Sequence, residues 1–345
     1  METTQIAAGR RQPVMEVTDL ACVFKGGDGD VFALNGVSLQ IMPGEILALV
    51  GESGCGKSVT AMASMGLVPK SSIRTLEGSI RFEGREVLDL PEKAWRELRG
   101  RSIGMVFQDP MTALNPMMTI GNQIGEVLVR HEGLGRAAVR AKVRELLVAV
   151  QISDPERRID EYPHQLSGGM RQRVVIAMAI ACRPRLVIAD EPTTALDVTI
   201  QAQILRLLQE LRSQFGSAIM LITHDLGVVA EVADRTAVIY AGRVVECATT
   251  DRLLDNPSHP YTANLIRAAP DIEAILKAPA GAIPPIEEIP GVVPRLTEKP
   301  VGCPFVARCS RAETRCRDET PALETLETGH AVACWNPVPP ANRTT

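Results

Sequence analysis

No run of about 18 apolar residues occurs in this 345-residue chain, so nothing in it reads as a membrane-spanning helix. The opening METTQIAAGRRQPVMEV lacks the apolar core of a secretory signal, which places the chain in the cytoplasm as an expectation. An excess of positive charge is missing too. The net charge is −4, whereas a nucleic-acid binder ordinarily presents a basic face. There is no internal repeat and no low-complexity tract. What remains is an ordinary globular composition, 45% hydrophobic and 23% charged, in a chain long enough for one large domain or two modest ones. If it serves a membrane, it must do so by docking onto another protein.

Three apolar runs of strand length stand out: Ile46-Leu-Ala-Leu-Val50, Arg185-Leu-Val-Ile-Ala189 and Ala218-Ile-Met-Leu-Ile222. Runs without polar alternation suit strands buried on both faces. Helical patterns cover residues 57–67, 168–182 and 198–215. Residues 14–50 read as short strands, and 94–108 hold a helix and the strand Ile103-Gly-Met-Val-Phe107. Residues 119–150 carry Leu, Val and Ile at helical spacing. Strands alternating with helices predict an α/β fold with a mostly parallel sheet. Composition shifts near residue 270, where seven prolines from Pro270 to Pro300 read as an extended, semi-rigid connector. The predicted organisation is a nucleotide-binding domain over 14–268 with a helical subdomain over about 109–165, a connector over 269–300 and a small extension over 301–337.

Gly51-Glu-Ser-Gly-Cys-Gly-Lys57-Ser58 matches G-x-x-x-x-G-K-S/T between a buried strand and a helix, the context that motif needs. Gly51, Gly54 and Gly56 let the backbone bend so that its N–H groups face phosphates, and the next helix start adds partial positive charge. With Ser53, Cys55 and Val59 they make up the candidate nucleotide loop. Lys57 is suited to reach the β- and γ-phosphates, and Ser58 to offer its hydroxyl to Mg²⁺. The strand 185–189 delivers Asp190, a second candidate for the Mg²⁺ shell, and Glu191, a candidate general base for the attacking water.

Leu166-Ser-Gly-Gly-Met170, followed by Arg171-Gln-Arg173, resembles the ABC signature, usually LSGGQ; here Met170 holds the last place. Other pieces appear in order: Gln108 at the Q-loop position (a candidate catalytic and Mg²⁺ residue), Thr194-Ala-Leu-Asp197 at the D-loop, and His224 at the switch-histidine position. Phe24 resembles the aromatic residue that stacks on adenine, although Gly26-Gly-Asp-Gly-Asp30 separates it from the next strand and Phe32 competes. Closer still, Phe107-Gln-Asp-Pro-Met-Thr-Ala-Leu-Asn-Pro116, Tyr162-Pro-His-Gln-Leu-Ser, Asn256-Pro-Ser-His-Pro-Tyr261-Thr262 and Ile289-Pro-Gly-Val-Val-Pro294 resemble the ATPases of dipeptide and oligopeptide permeases, most of all their D-type subunits.

That resemblance implies an ATPase energising peptide import from the cytoplasmic face of the membrane. Its partners would be an F-type second ATPase, two transmembrane permease subunits and an extracytoplasmic peptide-binding protein, with no nucleic acid. It implies a composite site, in which Ser167, Gly168 and Gly169 act on the partner's ATP. It also implies that the loop after Gln108 receives a helix of the membrane subunit. Relatives carry other cargo, such as nickel chelates. A soluble ABC ATPase working on DNA or ribosomes is the rival in the same superfamily, and a P-loop kinase the rival outside it.

Cys303, Cys309, Cys316 and Cys334 crowd into the last 43 residues, apart from the scattered Cys22, Cys55, Cys182 and Cys247. Their spacing has neither C-x-x-C pairs nor the bacterial ferredoxin pattern, so tetrahedral zinc, a [4Fe–4S] cluster and free packing thiols all remain open. Lys299, Arg308, Arg311, Arg315 and Arg317 lie near enough in sequence to offset a thiolate cluster's charge. The family resemblance implies the [4Fe–4S] cluster.

Overall fold

The computed structural model describes residues 12–340, apart from 28, 195, 270–287, 295 and 328. Strands β1 (Met15–Phe24), β2 (Val31–Ile41) and β3 (Ile46–Val50) lead to helix α1 (Lys57–Ser64). Then come β4 (Ile73–Phe82), β5 (Arg85–Glu86), α2 (Glu92–Leu98) and β6 (Ile103–Val106). A helical stretch follows: α3 (Pro110–Ala113), α4 (Ile120–Glu132), α5 (Arg136–Ala149), α6 (Pro155–Arg158) and α7 (Gly168–Ile180). The alternation resumes with β7 (Leu186–Asp190), α8 (Val198–Phe215), β8 (Ala218–Thr223), α9 (Leu226–Val232), β9 (Arg235–Tyr240) and β10 (Arg243–Thr249). Helices α10 (Thr250–Asp255) and α11 (Pro260–Ala268) precede the extension, which ends in the hairpin β11 (Glu324–Glu327) and β12 (His330–Val332).

Two sheets result. The larger runs β11-β12-β10-β9-β3-β8-β7-β6, with β9, β3, β8, β7 and β6 parallel. This is the expected parallel sheet, and every residue of β3, β7 and β8 is buried. Each Val, Leu or Ile so enclosed contributes roughly 1.5–3 kcal/mol. The smaller sheet, β2-β1-β4-β5, is antiparallel and was not foreseen. Its strands mix buried with exposed positions because one face packs inward and the other meets solvent.

The helical reading of 119–150 is corrected to two helices. Gly133 closes α4 in the left-handed conformation at φ 66°, and Gly135 precedes α5. The first helix also stops at Ser64, short of 67. Gly66 follows at φ +60°, where a Cβ would collide with the Trp95 ring. The connector is not a free spacer where it is described. Ile289, Val293 and Leu296 pack on the core formed by β9, β10 and α11, and Phe32 N–H donates to the Leu296 carbonyl at 2.9 Å. Most of its prolines, from 270 to 285, lie outside the described residues. Among the described residues, no helix is long and apolar enough to cross a membrane.

The extension is stitched to the cassette at the β10 edge. Strand β12 pairs with β10 at Glu246↔Val332 and Cys247↔Ala331. The fully buried Glu246 carboxylate accepts from Ser258 N–H (2.6 Å) and His259 N–H (2.8 Å), and lies 2.8 Å from His330 Nε2. These bonds satisfy a charge that would otherwise be costly to bury.

His259 makes this junction acid-sensitive. Its Nδ1 accepts the Tyr261 N–H at 3.0 Å, a role only the neutral ring can play there, and burial pushes its pKa from 6.5 down to about 4 against the opposing pull of Glu246. The unfolded chain protonates this ring below 6.5 while the folded one resists until about 4. The contribution is therefore complete above pH 6.5 and is lost as pH falls from there toward 4, by about 3 kcal/mol in all. Melting temperatures from pH 7 to 5 should fall more steeply for the wild type than for His259→Asn; equal slopes would refute this role.

Candidate functional site

The phosphate loop hangs between the last residue of β3 and the first of α1, and its glycines are dictated by space and conformation. A Cβ on Gly51 would collide with the Ile239 carbonyl. One on Gly56, at φ +107°, would sit 2.9 Å from both the Ala33 carbonyl and Leu34 Cδ2. Lys57 is 6% exposed and folds back on the loop, donating to the carbonyls of Gly51 (2.8 Å) and Glu52 (3.0 Å). Cys55 is buried, and burial raises its thiol pKa, so it packs as a neutral group.

Ser58 Oγ donates to Asp190 Oδ1 at 3.2 Å. Burial raises the Asp190 pKa, with Glu191 adding to the effect while the Ser58 hydrogen bond and Lys57 oppose it. A hydroxyl and a buried carboxylate beside an anion-binding loop fit the oxygen-ligand chemistry of Mg²⁺. Next to them Glu191 sits at φ 45°, a strained conformation for a non-glycine residue. Its Oε2 accepts from Gln108 Nε2 (2.9 Å) and Thr194 Oγ1 (3.0 Å), and its Oε1 lies 3.3 Å from His224 Nδ1. Three side chains from three segments thus aim one carboxylate.

A cavity of about 490 Å³ joins these groups, lined by Ala33, Ser53, Gly54, Gly56, Lys57, Ser58, Val59, Gln108, Glu191 and His224. The sequence motifs converge here, with Gly51, Cys55 and Asp190 buried close behind. Phe24 and Phe32 are not among the lining residues; Phe24 packs, half-buried, against the core between the two sheets. Ser167, Gly168 and Gly169 are also absent from this lining. Ser167 caps α7, its Oγ accepting from Met170 N–H at 3.3 Å, and a Cβ on Gly169 would meet Ile200 Cγ2 at 2.8 Å. Ala33 had no sequence signal, because its strand belongs to the antiparallel sheet. Thr194 lay inside the D-loop motif, but its contact with Glu191 depends on the fold.

Cys303, Cys309, Cys316 and Cys334 line a tight cleft of about 10 Å³ together with Phe305, Arg311 and Trp335. All four are free thiols, and Cys303 N–H donates to the Cys316 carbonyl at 2.7 Å. Burial raises the pKa of Cys303, Cys309 and Cys334, the last to about 11, and neighbouring thiols of the set push each of them further up. Among the described residues no group of three or more His, Cys, Asp or Glu side chains stands close enough to hold a metal ion. Of the five basic residues expected to offset a cluster, Arg311 lines the cavity, Arg315 lies over the Trp335 ring at 3.5 Å, and Arg308 points elsewhere, onto Glu52.

Strand order, loop and acidic pair define a P-loop ATP-binding cassette. A family model described as ABC transporter matches residues 34–194, and one described as Oligopeptide/dipeptide transporter, C-terminal region, matches 245–316. A probable peptide ABC transporter ATP-binding protein of Sinorhizobium fredii is 51% identical over 93% of this chain and 94% of its own. The dipeptide transport ATP-binding protein DppD of Bacillus subtilis is 47% identical over 94% and 95%, and the oligopeptide transport protein OppD of Salmonella typhimurium 46% over 98% and 99%. Among solved structures, the dimeric ATP-binding cassette MJ0796 bound to ADP and Pi aligns with a TM-score of 0.61 at 28% identity, over 68% of this chain and 98% of its own. The chain belongs to the ABC transporter family, among the ATP-binding subunits of dipeptide and oligopeptide transporters.

Gly56→Ala combines a disfavoured φ with contacts of 2.9 Å, a cost of about 1–3 kcal/mol borne by the loop itself. Nucleotide titration should show weakened binding together with a lowered melting temperature; unchanged binding would mean that the loop has slack.

Proposed function

We propose that this chain binds Mg·ATP in the phosphate-loop cavity, hydrolyses it, and thereby drives import of dipeptides or oligopeptides by an ABC transporter. One observation carries the chemistry: the Glu191 carboxylate is held by Gln108, Thr194 and His224 at the mouth of the cavity. There it can take the proton of a water attacking the γ-phosphorus as the bond to the ADP oxygen breaks. Lys57 would leave its loop carbonyls for the β- and γ-phosphate oxygens. Ser58, Asp190 and Gln108 would hold Mg²⁺, which neutralises charge developing on those oxygens.

The position of the signature supports a composite site. Ser167, Gly168 and Gly169 begin α7 away from the chain's own cavity, free to meet the ATP of a second subunit, an F-type partner on the family pattern. Phe107, Met111 and Met117 are exposed around α3, which supports docking of a transmembrane permease subunit there. Two such subunits and an extracytoplasmic peptide-binding protein would complete a transporter with this chain on the cytoplasmic face. Peptide cargo rests on the relatives' names, since no residue of an ATPase touches the cargo. The domain limits of 14–268, 269–300 and 301–337 remain our reading, with the extension docked on the cassette.

Four cysteines on one tight cleft are the donor set that a [4Fe–4S] cluster takes, with zinc the other metal, and as placed they would have to draw together to hold either. When bound, it would staple a segment too small to build its own core.

In the assembled transporter, Glu191→Gln should keep ATP binding and lose about 10²–10⁴-fold in turnover; unchanged turnover would remove Glu191 from the base role. Anaerobic purification should give a broad absorbance near 400 nm with stoichiometric iron, a reading that Cys316→Ser abolishes. Zinc alone, or no metal, would overturn the cluster.

A further inference from the structure

The phosphate loop is touched by a residue that no motif contains. Arg308 lies next to Cys309 in the extension, yet its guanidinium reaches back across the cassette to Glu52, the residue after Gly51. Its two terminal nitrogens donate to Glu52 Oε2 (2.8 Å) and Oε1 (3.0 Å), a bidentate pair, while its Nε donates to the Pro290 carbonyl at 2.7 Å. The Arg308 side chain is 6% exposed and that of Glu52 27%, so solvent screens this pair far less than a surface one. The guanidinium also stands 5.8 Å from the Tyr240 ring centre and 6.0 Å from that of Phe305.

Glu52 is held at three points. Its side chain is gripped by Arg308, its N–H donates to Tyr261 Oη at 2.9 Å, and its carbonyl accepts from Lys57 Nζ at 3.0 Å. The third hold is lost if Lys57 turns to a phosphate. The loop is then kept in shape by Tyr261 and Arg308, both outside the phosphate motif. Arg308 has a second effect. Glu52 places a negative charge on a loop that receives a polyanion, and an unpaired carboxylate there would repel the triphosphate.

We propose that Arg308 is a positioning residue for the phosphate loop: by clamping and neutralising Glu52, the C-terminal extension becomes part of the nucleotide site. This rests on the reading of that loop as an ATP site. It differs from a purely structural anchor in predicting an effect on nucleotide affinity that passes through Glu52.

The test is a double-mutant cycle on the full chain. Trinitrophenyl-ATP binding is measured on the purified subunit, and KM and kcat for ATP on the assembled transporter. Arg308→Gln should weaken nucleotide binding and raise KM by about tenfold while kcat changes less than about twofold. Arg308→Lys, which keeps the charge but not the fork, should fall between. In a Glu52→Gln background, Arg308→Gln should add less than about twofold, because the carboxylate it answers is gone. If Arg308→Gln fails to fold, Arg308→Lys carries the cycle. Unchanged affinity in either variant, or the same loss with and without the Glu52 carboxylate, would overturn the proposal. A wild-type chain that binds no nucleotide would instead sink the ATP reading beneath it.

Discussion

Everything in the site depends on the register of the parallel strands. Val50 of β3 stands opposite Thr223 of β8, and Ile222 opposite Asp190 of β7. The residues that follow each strand, Gly51, His224 and Glu191, therefore emerge side by side at one edge, and Gln108 arrives there from β6, where Val106 faces Ala189. Ligand sites of open α/β sheets form outside these carboxyl ends for this reason. A slip of one residue would turn each strand's side chains to the opposite face and carry the polar ends out of alignment. Both faces of β3, β7 and β8 are enclosed by packed side chains, so a slip would have to break that specific packing.

On that frame the chemistry is a matter of held charges. Asp190 is kept close to Ser58 in a buried place, Lys57 waits on its own loop's carbonyls, and Glu191 is aimed by three neighbours at the cost of a left-handed backbone. The arrangement is incomplete in one sense. The signature residues that define the family begin α7 and do not line the cavity that holds Lys57. On the composite site proposed above, the chain would act only in an assembly.

The extension is more than an appendage to this machinery. Its hairpin continues the large sheet, its Phe305 packs edge-on against Tyr240 with ring centres 5.2 Å apart, and its Arg308 ends on the phosphate loop. Cys303 and Cys309 pack against the same core cluster as Tyr240, Tyr261 and Phe305, and Arg308 links that cluster to the phosphate loop. What ties them is a set of buried polar groups, Glu246, His259 and Arg308, whose bonds must all be made at once to offset the cost of burying them.

By itself the sequence determined the buried parallel strands, the glycines of the phosphate loop, the Asp190–Glu191 pair and the cysteine set. Each is written in a local pattern: an unbroken apolar run, a fixed spacing, a residue type with one conformational use. It also led to the family, through motifs that stand in order. Only the tertiary structure decided the rest. Gly133 split one helical stretch into two, Phe24 packed half-buried against the core, Ala33 came to the site from an antiparallel sheet, and Arg308 left the thiols for Glu52. Side-chain partners separated by as many as 256 residues are chosen by how strands and layers pack, and no local pattern encodes that distance.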